Sequence, residues 1–182
     1  MALTKTPVCD FGKKAEDFKL KSINNKFVTL NDIKGEKATL VMFICNHCPY
    51  VKAVIKDIVN DANNLKNLNV NTIAIMSNDT KNYPDDSFEN MAKRANKGMP
   101  YAYLFDETQE VATAYGAERT PEFYLLNGDG VVVYRGRMDN SPRDPNGAST
   151  SELSDALDSL SMGEKPAIER TQSIGCSVKW KY

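Results

Sequence analysis

The chain has 182 residues, 41% hydrophobic and 26% charged, with 23 Lys and Arg against 24 Asp and Glu for a net charge of −1. That length fills one domain core, residues 1–182 with 164–182 as a C-terminal tail extension, and the composition is that of an ordinary globular protein. Near-zero net charge gives no footing for nucleic acid or an anionic membrane surface, and no apolar run approaches the roughly 20 residues of a membrane helix. The opening residues Met1 to Thr6 lack the apolar core of a secretory leader. The expectation is therefore a cytoplasmic protein, a monomer or weak dimer, in a compartment where structural disulfides are uncommon.

Two short extended segments, Asp17–Leu20 and Lys26–Leu30, flank Asn24-Asn25 and predict a small hairpin. The run Ala38–Ile44 is apolar throughout, which suits a strand covered on both faces. At its end stands Cys45-Asn46-His47-Cys48-Pro49. From there the period becomes helical: Val51, Val54, Ile55, Ile58, Val59, Ala62 and Leu65 share one face, with Lys52, Lys56, Asp57 and Asp61 opposite. Pro49 fits the first helical turn, which needs no donor from its nitrogen.

Thr72–Met76 reads as a second buried strand, followed by a loop from Ser77 to Pro84. Asp86 and Glu89 have capping-box spacing ahead of a short helix carrying Phe88, Met91, Ala92 and Ala95. A further helix begins near Asp106, with Gln109 in the reciprocal position and Gly116 as its stop. Glu122–Leu126, the turn Asn127-Gly128-Asp129-Gly130 and Val131–Tyr134 form a hairpin. A last helix spans about Ser149–Met162, and the tail Glu164–Tyr182 shows no period.

Chemistry concentrates at Cys45 and Cys48. Two thiols one helical turn apart can form and break a disulfide without moving the backbone, and the amides of a helix N-terminus favour a thiolate. Cys45 is the candidate nucleophile and Cys48 the resolving thiol. His47, the chain's one histidine, either tunes the Cys45 thiolate when protonated or is a solvated loop residue. Metal ligation is the competing use of Cys45, His47 and Cys48, but no second His or CxxC pair completes a four-ligand zinc set. No metal and no cofactor are expected. Cys9 lies in an unpatterned segment and reads as a free, inert thiol. Cys176 is either a small buried hydrophobe that anchors the tail or a third redox thiol.

The order strand, CxxC, helix, strand, helix, then Thr120-Pro121 opening a hairpin and a closing helix, resembles the thioredoxin-like superfamily. It is most similar to the peroxiredoxin-like branch grouped with the AhpC/TSA redoxins. The likeness rests on Phe43-Ile44-Cys45-Asn46-His47-Cys48-Pro49-Tyr50-Val51-Lys52, on Arg119-Thr120-Pro121-Glu122-Phe123-Tyr124, and on Ser173-Ile174-Gly175-Cys176-Ser177-Val178-Lys179-Trp180. It implies an α/β fold with a central mixed sheet flanked by helices, an N-terminal hairpin and a C-terminal tail. It also implies a cis Thr120–Pro121 bond against the active site, with Thr120 and Pro121 binding an extended substrate through free backbone groups.

Two departures from the resemblance stand out. The strand Leu40–Ile44 lacks the buried acid of thioredoxins, so proton transfer falls to another group such as Glu122 or to water. The threonine that peroxiredoxins place three residues before their Cys-Pro is replaced by Cys45, and Arg119 is offset by one residue from their arginine. The expected function is thiol–disulfide exchange on a protein or small-molecule disulfide, with an unidentified thiol as electron donor. A thiol peroxidase and a non-catalytic redox sensor or binding module are the alternatives.

Overall fold

In the computed structural model, residues 12–144 and 146–182 are described; Cys9 lies outside them. The strands are β1 (Lys19–Ser22), β2 (Phe27–Thr29), β3 (Ala38–Phe43), β4 (Val70–Met76), β5 (Ala102–Phe105), β6 (Arg119–Thr120), β7 (Glu122–Asn127), β8 (Val132–Gly136) and β9 (Cys176–Ser177). The helices are α1 (Leu30–Ile33), α2 (Pro49–Lys66), α3 (Phe88–Ala95), α4 (Glu110–Tyr115) and α5 (Glu152–Ser161). Seven strands form one mixed sheet in the order β2-β1-β5-β4-β3-β7-β8, and β6 pairs with β9 apart from it. Strand β3 runs parallel to β4 and antiparallel to β7, while β4 runs parallel to β5.

Strand β3 is buried along its whole length, as its unbroken apolar run requires. Its alternate residues feed two cores. Leu40, Met42 and Ile44 join Val51, Val54, Ile58 and Leu65 of α2 and Leu153 and Ala156 of α5. Val41 and Phe43 join Ile73, Ile75, Leu104, Val111, Tyr115 and Tyr124 on the other face. Each large apolar side chain so buried contributes roughly 1.5–3 kcal/mol.

Several expected boundaries move. Leu30 starts α1 instead of ending a strand, because Thr29 and Asp32 form a capping box. Strand β5 is additional to the expected elements; Tyr101 to Phe105 is aromatic and apolar without alternation, since β5 is flanked by both β4 and β1. Asp86 and Asp106 are not N-caps. Ser87 caps α3 by accepting from the Asn90 amide, and α4 begins only at Glu110, after Gln109 in a left-handed conformation. The buried Asp106 carboxylate accepts from Ser77 Oγ and the amides of Val111 and Ala112. Gln109 instead ties the tail down, donating to the Ser77 and Lys179 carbonyls and accepting from the Lys181 amide.

The aperiodic tail is extended and woven into the fold. Arg135 exchanges backbone bonds with Glu169 and Thr171, and the amides of Val178 and Lys179 bond to Glu118 O and Asn78 Oδ1. Among the described residues, no helix is long and apolar enough to cross a membrane.

Candidate active site

In a parallel pair the loops leaving the carboxyl ends of adjacent strands meet in one crevice. Here β3 delivers Cys45–Cys48 and β4 delivers the loop Ser77–Asp86 beside it. That loop ends in a single 3-10 turn, Pro84–Asp86, which buries the Asp86 side chain completely. Its carboxylate accepts from the amides of Asn46 (2.7 Å) and His47 (3.2 Å) and from Asn78 Nδ2 (2.9 Å). The same carboxylate lies 2.5 Å from His47 Nδ1. His47 also stacks on Tyr83, with ring centroids 5.5 Å apart. It is thus a held residue, not a solvated one.

Asn46 is fixed as tightly. Its side chain donates to Asp85 O and accepts from Tyr103 OH, and its carbonyl accepts from Arg94. A buried acid, absent from β3, thus stands in the next loop, where it holds residues 46 and 47 and bonds to neither thiol. Asp86 was legible only as a supposed helix cap. The stronger signal was placement: an acid after a proline, in the loop leaving the strand beside the motif.

Both thiols are covered, Cys45 to 2% exposure and Cys48 to 0%, so the leading thiol is not the open one expected. Cys45 Sγ lies 3.5 Å from Thr120 Oγ1, and Cys48 Sγ donates to the Thr120 carbonyl at 3.2 Å. The two thiols also act on each other, and their proximity moves their acidities apart. Cys45 is pushed well above the ordinary thiol range by its Cys48 neighbour, by burial and by the Asp86 charge. Cys48 is pulled down to about 4, first by its Cys45 neighbour and, against its burial, by Cys176.

The helix N-terminus therefore favours ionisation of Cys48 rather than of the leading thiol: Cys48 is the N-cap of α2, whereas Cys45 precedes that helix and faces a carboxylate.

The Thr120–Pro121 peptide is cis. The backbone ahead of it is not free, however: β9 pairs with it, Thr120 opposite Cys176 and Arg119 opposite Ser177. Thr120 and Pro121 lie buried beneath the chain's own tail. Glu122, the candidate proton relay, is committed elsewhere. Its carboxylate pairs with Arg135 at 3.0 Å and accepts from the amides of Glu118 and Arg119. Arg119, offset from the peroxiredoxin arginine, is exposed on β6.

Cys45 Sγ, a His47 ring nitrogen and an Asp86 oxygen lie within 4.8 Å of one another, donors that a divalent metal accepts. His47 and Asp86 are bonded to each other at 2.5 Å, and Asp86 accepts three further hydrogen bonds.

The sequence profile of the AhpC/TSA family matches residues 11–135. The chain belongs to the AhpC/TSA family. A conserved protein from Geobacillus kaustophilus superposes with a TM-score of 0.89 at 44% identity, over 100% of this chain and 97% of that one. A protein from Sinorhizobium meliloti 1021 superposes with a TM-score of 0.87 at 32% identity, over 94% and 95%. The thiol:disulfide interchange protein DsbE of Escherichia coli K12 is 27% identical over 135 residues, 72% of this chain and 68% of that protein. This AhpC/TSA chain is accordingly a redox enzyme with a thioredoxin-like fold.

Proposed function

We propose that this protein is a thiol–disulfide oxidoreductase in which Cys45 and Cys48 carry the exchange on a disulfide-bearing protein. The observation that supports this most is the thiol pair itself, set at the N-terminus of α2 with both sulfurs against Thr120 of the cis Thr120–Pro121 bond. Loss of its proton makes Cys45 the attacking thiolate. Cys45 sulfur then bonds to one substrate sulfur, the substrate disulfide breaks, and the departing sulfur takes a proton. Cys48, deprotonated in turn, attacks Cys45 and releases the second substrate sulfur, which takes a proton. The substrate gains two electrons and the protein is left with a Cys45–Cys48 disulfide. The likeness to DsbE supports the same reading. The exposed Arg119 and the cysteine in the peroxiredoxin threonine position weigh against peroxide turnover.

The test challenges reduced protein in parallel with insulin and with hydrogen peroxide. Insulin reduction that falls to background in Cys45→Ser, with negligible peroxide consumption, is expected. In Cys48→Ser a stable mixed disulfide between Cys45 and substrate should accumulate. Rapid peroxide turnover without insulin reduction would overturn the proposal.

A further inference from the structure

Of the three described thiols, the two in the motif are sealed, whereas Cys176 on β9 is only half-buried. The tail is built to hold it there. Gly175 passes so close to Thr120 that an added Cβ would sit 2.1 Å from its carbonyl oxygen. That same oxygen accepts from Cys48 Sγ. Cys176, next in the chain and directly opposite Thr120, therefore packs into the cluster containing Cys45 and Cys48. Its thiol and that of Cys48 act on each other's acidity as neighbouring groups do.

We propose that Cys176 is a third redox thiol that takes over the disulfide from Cys45 and presents it to an external thiol reductant. This rests on the dithiol reading above and names the route by which the spent enzyme is reduced. In the first step the Cys176 thiolate attacks the Cys48 sulfur of the Cys45–Cys48 disulfide. A Cys48–Cys176 bond forms, the Cys45–Cys48 bond breaks, and Cys45 leaves as a thiolate that takes up the proton lost by Cys176. No electrons enter or leave in this exchange. In the second step an external thiolate attacks Cys176 at the surface and Cys48 leaves. A second external thiol resolves the mixed disulfide, so the reductant is oxidised by the two electrons the enzyme gains.

The electrostatics favour this order. In the reduced protein Cys176 is pushed up to about 11, first by burial and then by the hydrogen bond and charge of Cys48, while Lys179 and Arg143 pull it down. Once Cys48 is in a disulfide it carries no charge, both of its contributions vanish, and the two cations remain. Oxidation of the motif thus makes Cys176 the better nucleophile when one is required.

The test maps disulfides in the full-length chain carrying Cys9→Ser, so that the three thiols compete alone. The protein is oxidised with one equivalent of diamide, blocked with N-ethylmaleimide and digested with trypsin without reduction. Cleavage after Lys37, Lys52, Arg170 and Lys179 leaves Cys45 and Cys48 on the peptide 38–52 and Cys176 on the peptide 171–179. Two species are expected: peptide 38–52 closed on itself, and the same peptide joined to 171–179. With Cys45→Ser added, the joined species should form through Cys48.

A closed peptide 38–52 with no joined species in either protein overturns the relay and leaves the dithiol reading standing. Absence of both species defeats both. As a second measurement, oxidised Cys176→Ser and Cys176→Ala should be reduced by dithiothreitol about tenfold more slowly than the parent. Reduction at the parent rate, by variants whose closed peptide 38–52 shows an intact motif, overturns the proposal.

Discussion

At the scale of single residues, the site is organised by one buried carboxylate and two thiols whose acidities move apart. Asp86 makes four hydrogen-bond contacts on residues 46, 47 and 78, which holds the turn between the cysteines, and its charge adds to the effects of Cys48 and of burial that push Cys45 up. Cys48, lowered to about 4, is expected to ionise in the folded protein below neutral pH, giving up the bond it donates as a thiol to the Thr120 carbonyl, but to stay neutral in the unfolded chain until about pH 8.5. Its contribution to stability is therefore fully present above the unfolded value and is lost as pH falls through about 4. This charge exists only in the dithiol form, so it favours reduced protein and makes the couple more oxidising. Ultraviolet thiolate absorbance should show one thiolate at pH 7 that titrates away toward about pH 4 and is missing in Cys48→Ser. Absorbance that first appears near about pH 8.5 would refute the lowered Cys48. Cys45 and Cys48 were legible because their spacing and their strand-to-helix position are local. Asp86 was not, because its partners lie up to 40 residues away.

At the scale of elements, α2, β3, β4 and the β7–β8 hairpin were readable from periodicity, since each carries its apolar pattern within one short window. Strand β9 was not, because two residues have no period; it exists through its partner β6 and through Gly175. That makes the pairing specific, while bonds to Glu118, Asn78 and Gln109 hold the chain on its C-terminal side. Opening β9 would uncover Thr120 and the Cys48 thiol bonded to it. Gly175→Ala tests this element directly, because its Cβ would collide with the backbone of Thr120. The variant should hold the tail off β6. Cys45 and Cys48 should then be alkylated by iodoacetamide several-fold faster, and the Val178 amide, bonded to Glu118 O, should exchange its hydrogen faster. Unchanged alkylation and exchange would show that the tail does not guard the site.

At the scale of the molecule, the two cores on either side of the sheet position the chemistry, and a buried ion pair joins them to the loop that carries Pro121. Glu122 lies opposite Phe43 at the end of β3, so it anchors the loop where β3 gives way to the motif. Its carboxylate holds Arg135 of β8 and the amides of Glu118 and Arg119, while Arg135 also donates to Gly116 O and lies over the Tyr124 ring. One charge pair thus ties β7, β8, the end of α4 and the approach to β6 together. From the sequence Glu122 is a polar residue opening an apolar strand and a candidate proton relay, with no sign of an ion pair; it is buried here because the partner cation comes from the neighbouring strand. Replacing a buried pair by apolar groups can be neutral, but removing one member strands the other. Glu122→Ala should therefore destabilise the protein by roughly 3–5 kcal/mol, a large share of the ~5–15 kcal/mol that holds a domain of this kind. Urea titration should show this as a lower midpoint with little change in slope. A midpoint shift equivalent to less than about 1 kcal/mol would mean that water or other groups satisfy Arg135 as well as Glu122 does, and that the anchoring of the Thr120–Pro121 loop lies elsewhere.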